Sequence, residues 1–363
     1  MTTLLILSVG TLVGGNILDA CDAFRPGLRV VGVNSLAEAV NNFRCDLVYL
    51  APPAREADAY WRCVESMLEH EDPDLVLAGR DADIPLLSQW RQHHPRWARR
   101  FVVGTEPLSL LMTDKLAGHD WSLARGLPFA PTVAAHDPSA LGICRQWMAD
   151  PGAILIAKPR GGSGSRGIRL LLDDASLVST LGNGDLVIQP YLADAAPYRA
   201  LDGQSNLGMP LFWTPALTQF VAHVVIGPDG SILGRFDMQT TMVAGRCEQS
   251  LAFDDETFRA TGDRFAVALA DAGWRGPASV QMLRHEQLGY QAIEFNAPSC
   301  AMMSRLLLGF DEMALMLSAW TGKTFQRPPA ATSPMALLAT RDIGLQADDS
   351  RHLGEHGTWP RSC

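Results

Sequence analysis

Apolar and polar positions follow two regimes along this chain. Over residues 1–112, short apolar runs at 4–9, 28–33, 47–50, 75–78 and 101–103 are separated by longer stretches at 16–24, 60–71 and 84–93 whose apolar residues recur at helical spacing. Short continuous runs suit strands buried on both faces, and the longer stretches suit helices with one buried stripe. Their alternation predicts a mainly parallel sheet covered by helices. The turn after the first run reads Gly10-Thr-Leu-Val-Gly14-Gly15 rather than G-x-G-x-x-G, and no acidic residue ends the second run near Asn34. A structural strand-to-helix turn is therefore favoured there over nicotinamide binding.

From residue 113 the pattern changes. A helix is predicted over 114–125, ended by Gly126 with Pro128 and Pro131 beyond it. Apolar runs at 153–157 and 168–172 flank a glycine-rich connection, which predicts a β-hairpin. Another strand is expected at 186–189, followed by Pro190. Runs at 220–226 and 232–236 flank Gly227-Pro-Asp-Gly230, a strong turn signal. In a helix over 256–272, Phe258, Phe265 and Leu269 share a face and Gly273 stops the helix. Strands near 279–283 and 290–295 and a helix near 312–320 follow. Beyond Arg327 the Pro-rich, polar composition predicts little structure, and no internal repeat is present.

Composition narrows the partners. At 363 residues, with 47% hydrophobic and 19% charged residues, the chain is long enough for two or three domains and a large core, and global disorder is excluded. The formal charge of -9 and the lack of any Lys/Arg-rich run disfavour nucleic acid and anionic membranes as partners. An anionic ligand would need a local cluster of donors. The seven cysteines are scattered with no C-x-x-C pair, so reduced thiols in a cytoplasmic protein are expected rather than structural zinc. The apolar start at 4–9 is short and lacks a preceding Lys or Arg, and reads as a strand rather than a signal peptide or membrane span.

Two segments carry candidate chemistry. In the first, Lys158 precedes Pro159 and a loop, 160–167, of four glycines, two serines and two arginines. Pro159 biases Lys158 toward extended backbone at a strand end, and the loop offers backbone N–H groups and hydroxyls to phosphate oxygens. The lysine precedes the loop and no G-K-[ST] follows, so a Walker-type loop is excluded. In the second, Gln281 lies upstream of Glu294 and Asn296, which share a strand face while Ile293 and Phe295 face the opposite way. A hairpin turning at Gln287–Leu288 pairs positions 281 and 294. One carboxylate and two amides become an adequate cage for a hard cation once phosphates and water add oxygens.

Together these residues resemble the ATP-grasp superfamily, in particular its branch similar to the large subunit of carbamoyl-phosphate synthetase. The resemblance runs to about residue 325. It includes residues 74–83 (DLVLAGRDAD), the segment from Thr113-Asp114-Lys115 to Pro128, the Lys158 loop and residues 187–192 (VIQPYL). It implies an N-terminal Rossmann-like parallel α/β domain (1–112), then a two-lobed fold. That fold comprises a lid subdomain (113–190), an antiparallel-sheet subdomain with the metal site (191–330) and a C-terminal tail (331–363). By this resemblance Lys115 and Lys158 contact ATP phosphates beneath a cover of Gly162, Ser163, Gly164 and Ser165. Gln189, Pro190, Tyr191 and Leu192 receive adenine, and Gln219, eleven residues before Gly230, meets the ribose. Gln281, Glu294 and Asn296 hold Mg²⁺, with two ions expected and Mn²⁺ as a substitute.

The family continues its metal motif as Asn-Pro-Arg, whereas this chain reads Asn296-Ala297-Pro298. Arg305, Arg246 and Arg166 are the candidates to replace that arginine, with Arg305 taken as catalytic beside Lys158. The implied activity is a carboxylate–amine ligase that forms an amide through an acyl phosphate and releases ADP and phosphate. The alternative is an ATP-binding protein of the same fold that has lost catalysis. Small carboxylate and amine substrates, amino acids or a peptide among them, are the expected partners, with a homodimer as the expected assembly. Acceptor-side candidates are 195–213 and 299–304. Cys300 and His223 read as packed structural residues.

Overall fold

The computed structural model describes residues 1–150, 153–162, 165–198, 215–297, 301–328, 332–338 and 347–360. The first region forms a sheet from β1 (Thr2–Ile6), β2 (Leu28–Asn34), β3 (Leu47–Leu50) and β4 (Leu75–Leu77), all parallel, with β1 between β2 and β4. Leu4, Leu5 and Ile6 are fully buried, as a central parallel strand covered on both sides requires. Thr11 caps the helix Leu12–Cys21, its hydroxyl accepting the Gly14 amide at 3.0 Å. A Cβ on Gly14 would stand 2.1 Å from the Val9 carbonyl oxygen, so the glycines after β1 serve close packing of helix on strand. The run at 101–103 gives only a single bridge, Phe101 to Val76, instead of a strand.

A four-stranded antiparallel sheet follows, ordered β5-β8-β6-β7 from β5 (Val133–Ala134), β6 (Leu155–Pro159), β7 (Arg169–Leu171) and β8 (Leu186–Pro190). The pair β6–β7 is the expected glycine-loop hairpin. Its small core contains Leu155, Ala157, Leu177 and Ile188.

The large sheet contains β9 (Leu217–Ile226), β10 (Ile232–Val243), β11 (Arg246–Ala252), β12 (Gly276–His285), β13 (Gly289–Asn296) and β14 (Met335–Leu337). Their order is β13-β12-β9-β10-β11-β14. Phe220, Ala222, Val224, Val280, Met282 and Phe295 pack with Phe258, Phe265 and Leu269 of the helix Glu256–Ala272. That helix has the bounds read from the sequence, capped by Asp255 and ended by Gly273 at φ 101°. Because side chains alternate, the opposite face carries Gln219, His223, Ser279, Gln281, Glu294 and Asn296.

The stretch beyond Arg327 is more ordered than its composition predicts. β14 extends the large sheet, and after the helix Ala347–His356, β15 (Thr358–Trp359) joins the first sheet antiparallel to β3. Leu353 and Trp359 reach the core beside the first sheet. A few well-placed apolar residues anchor a segment that is polar on average.

Candidate functional site

The site lies where the glycine hairpin, the helix Lys115–Leu123 and β13 meet. Asp114 caps that helix, accepting the amides of Leu116 at 2.9 Å and Ala117 at 3.3 Å. The same carboxylate takes a forked contact from Arg160, with Nη2 at 2.6 Å and Nε at 3.1 Å. The Lys115 amide donates to the Arg160 carbonyl at 2.9 Å. These contacts fix the base of the hairpin to the start of the helix. Burial opposes ionisation of Asp114, but the Arg160 fork and the helix amides outweigh it and lower its pKa. Sequence reasoning missed this pairing, although Asp114 before a helix is a visible cap signal.

Lys115 is thereby aimed across the cleft. Its Nζ lies 3.4 Å from Glu294 Oε2 and 3.4 Å from the Gly162 carbonyl oxygen. Lys115, Gly162, Glu294 and Asn296 line one cleft, together with Asp81, Thr113 and Asp114. Lys158, on β6 opposite Val187, is 6% exposed. Among the described residues it has no hydrogen-bond or salt-bridge partner. Burial lowers its pKa to about 8, with Glu294 opposing the shift and the charge of Lys115 adding to it.

The hairpin β12–β13 pairs Gln281 with Glu294, and the route to that pairing differs from the expected one. His285 stands opposite Gly289 and Met282 opposite Ala292, so the turn over residues 286–288 is centred on Gln287 rather than between Gln287 and Leu288. A bulge at Ile293 adds one residue to β13 and restores the 281–294 pair. Ile293 and Phe295 are buried in the core as expected, and Trp121 and Phe265 meet the Phe295 ring edge-on at 5.8 Å each. The face that carries Glu294 and Asn296 is thus oriented by an apolar face locked behind it. Among the described residues no group of three His, Cys, Asp or Glu is placed to hold a metal.

Gln189 is buried beside Ile156, and its Nε2 donates to Thr132 Oγ1 at 2.8 Å. The next residues leave the strand: the Tyr191 amide donates to the Ile154 carbonyl at 2.9 Å, and its ring meets Tyr198 edge-on at 5.5 Å. Gln219 is buried opposite Thr240, and among the described residues its Oε1 has no hydrogen-bond partner. Gly162 and Ser165 both have positive φ, 97° and 56°, at the hairpin tip. Ser163, Gly164, Ser299, Cys300 and most of the 195–213 stretch lie outside the described residues.

The arginine candidates separate clearly. Arg246 is exposed and 3.7 Å from Glu248, and Arg166 is exposed. Arg305 is 1% exposed and donates through Nη2 to Glu312 Oε1 at 2.6 Å. His223, on the polar face of β9, is buried with Glu312 on one ring nitrogen and Ser279 on the other.

The parallel α/β sheet followed by two antiparallel sheets around this cleft is the ATP-grasp fold. The chain is similar to the biotin carboxylase domain of Hydrogenobacter thermophilus 2-oxoglutarate carboxylase, solved with MgADP, ADP and bicarbonate, at 17% identity and a TM-score of 0.65 over 90% of this chain and 70% of that one. It is similar at 13% identity and a TM-score of 0.65 to Staphylococcus aureus N5-carboxyaminoimidazole synthetase in complex with ADP, over 90% of this chain and 79% of that one. A third similar structure is the Campylobacter jejuni biotin carboxylase–ATP complex, at 16% identity and a TM-score of 0.60 over 93% and 73% of the two chains. No protein-family model and no curated protein matches the sequence. Among the described residues no helix is long and apolar enough to cross a membrane.

Proposed function

We propose that this protein is an ATP-dependent carboxylate–amine ligase that forms an amide through an acyl phosphate. The observation that carries the reading is the position of Lys115 Nζ, 3.4 Å from both the glycine-hairpin carbonyl and the Glu294 carboxylate. Lys115, a carboxylate and the glycine hairpin meet in one cleft, and buried Lys158 is near enough to feel the charges of Glu294 and Lys115; together they form a receptor for a triphosphate with its cation. Lys158 is held without a partner among the described residues, and its charge is unfavourable where it stands until an anion arrives. The buried Gln219 Oε1 awaits a donor, which a ribose hydroxyl supplies. Gln189 and residues 190–192 edge the adenine position, with the Gln189 amide nitrogen already engaged by Thr132.

The donor set fits Mg²⁺: Gln281 and Glu294 are cross-strand partners, Asn296 lies two residues along, and all three offer hard oxygen. When bound, the ion neutralises phosphate charge. The chain's own groups do the rest. Lys115 and Lys158 align the phosphates for attack by the substrate carboxylate, and stabilise the charge that develops in transfer. The glycine hairpin closes over the site and keeps water from the acyl phosphate until an amine displaces phosphate. The solved structures of similar fold hold ADP or ATP, which supports the nucleotide assignment.

The test is release of ADP across a panel pairing carboxylic acids with amines. Glu294→Ala and Lys158→Ala are each expected to lower amine-dependent release at least a hundredfold with an unchanged far-ultraviolet spectrum. Turnover at the wild-type rate in either variant overturns the assignment. A second reading, nucleotide binding without turnover, is favoured by the burial of Arg305 against Glu312 and the absence of arginine after Asn296. It predicts calorimetric binding of MgATP with no ADP from any pair.

A further inference from the structure

Four polar side chains make a continuous chain through the interior beside the candidate metal strand. Ser279 Oγ is 2.8 Å from His223 Nδ1. The His223 Nε2 contacts Glu312 Oε2, and Glu312 Oε1 accepts from Arg305 Nη2 at 2.6 Å. The His223, Glu312 and Arg305 side chains are at most 1% exposed, and Ser279 is 3% exposed. Phe310 covers the imidazole edge-on at 5.9 Å. Burial, reinforced by Arg305, lowers the His223 pKa against the pull of Glu312. Glu312 thus sits on one ring nitrogen and the Ser279 hydroxyl on the other.

The placement of this chain gives it a purpose. Ser279 is the cross-strand partner of both His223 on β9 and Asn296 on β13, and Gln281 follows two residues later. At the other end, Arg305 belongs to the helix Met302–Leu307 and Glu312 to the helix Glu312–Thr321, the two helices that follow Asn296. The chain therefore ties both flanks of the donor face to one interior anchor. Burying an ion pair carries a large desolvation penalty, and apolar side chains of like volume would fill the space as stably. Two of the three metal donors are neutral amides, which hold a hard cation weakly and depend on being held in place beforehand.

We infer that Arg305, Glu312, His223 and Ser279 are positioning residues that set the strand carrying Gln281 and Asn296, and that Arg305 acts through Glu312 rather than by touching phosphate. This inference rests on the metal reading above. Its test is calorimetric binding of ADP, once with Mg²⁺ and once with EDTA. In wild type, Mg²⁺ is expected to tighten ADP binding, and Glu294→Gln to remove that gain. Partners behind metal ligands are worth 10–100-fold in metal affinity. Glu312→Gln and Ser279→Ala are accordingly expected to lower the Mg²⁺-dependent gain about tenfold, with ADP affinity in EDTA within twofold of wild type. Should Glu312→Gln fail to fold, Ser279→Ala decides, since it removes one oxygen atom. An unchanged gain in the folded variants, or equal loss with and without Mg²⁺, overturns the inference. Full retention of the gain by Glu294→Gln instead removes the metal reading, and the inference with it.

Discussion

Lys158 offers a quantitative test, because its burial leaves a thermodynamic mark that a bound phosphate should erase. The side chain is 6% exposed and its pKa falls from the ordinary 10.5 to about 8, chiefly through desolvation. At 1.36 kcal/mol per unit, holding the ammonium in the folded protein costs about 3 kcal/mol at neutral pH. The folded state binds fewer protons than the unfolded one between pH 8 and 10.5, so this cost is fully present below pH 8 and fades as pH rises through that window. Lys158→Met is therefore expected to raise the stability of the free protein at pH 7 by up to about 3 kcal/mol, with a smaller gain at pH 10. A triphosphate beside the ammonium restores its charge, so binding must draw a proton from solution. With a free-state pKa near 8, that uptake is about half a proton at pH 8 and about a tenth at pH 7.

Titration calorimetry with a Mg²⁺-bound non-hydrolysable ATP analogue, repeated in buffers of different ionisation enthalpy, reads the uptake directly. At pH 8 the nucleotide phosphates are already ionised, so the signal belongs to the protein. Lys158→Arg keeps its charge at every pH used and is expected to bind with no uptake. Zero uptake in wild type at pH 8, or equal uptake in Lys158→Arg, refutes the argument.

Two further expectations follow from single contacts. Gln219 holds a buried oxygen without a partner, so Gln219→Met should stabilise the free protein by about 1 kcal/mol and shrink the rise in melting temperature that MgADP produces; an unchanged rise separates Gln219 from the ribose. Asp114 caps a helix and pairs with Arg160, so Asp114→Ala should cost about 1–2 kcal/mol at pH 7 by urea unfolding. Its folded pKa is lowered, so that contribution is present above the ordinary value of 3.8 and lost as pH falls below it; a mutant–wild-type gap as wide at pH 2 as at pH 7 contradicts this.

Local rules carried much of the fold. The helix Glu256–Ala272 was legible because its apolar stripe and its terminal glycine agree. The pairing of Gln281 with Glu294 was also legible, by counting from a turn that is in fact centred on Gln287; a bulge at Ile293 made up the difference, and no local signal announces it. The edge strands Met335–Leu337 and Thr358–Trp359 were invisible because each owes its existence to a partner strand rather than to its own composition. Long-range polar pairing was the hardest to see. His223 and Glu312 are 89 residues apart, and nothing near either names the other. His223 was read as structural, and burial places it in the interior, yet its two partners lead to the strand carrying Gln281 and to Arg305.

The charges of the cleft explain why its pieces stay poised instead of collapsing on one another. Lys115 and Lys158 repel, and Glu294 is the counter-charge that both feel. Asp114 is committed to Arg160 and to the helix it caps, and Asp81 is a further carboxylate on the cleft wall. The parallel sheet, the helix behind Phe295 and the buried Arg305–Glu312–His223 chain frame these charges. When a cation draws Glu294 away, both lysines lose their partial neutraliser at once, and the demand for phosphate oxygens rises. Cation and triphosphate should therefore bind cooperatively, each raising the affinity for the other by the same factor, as linkage requires.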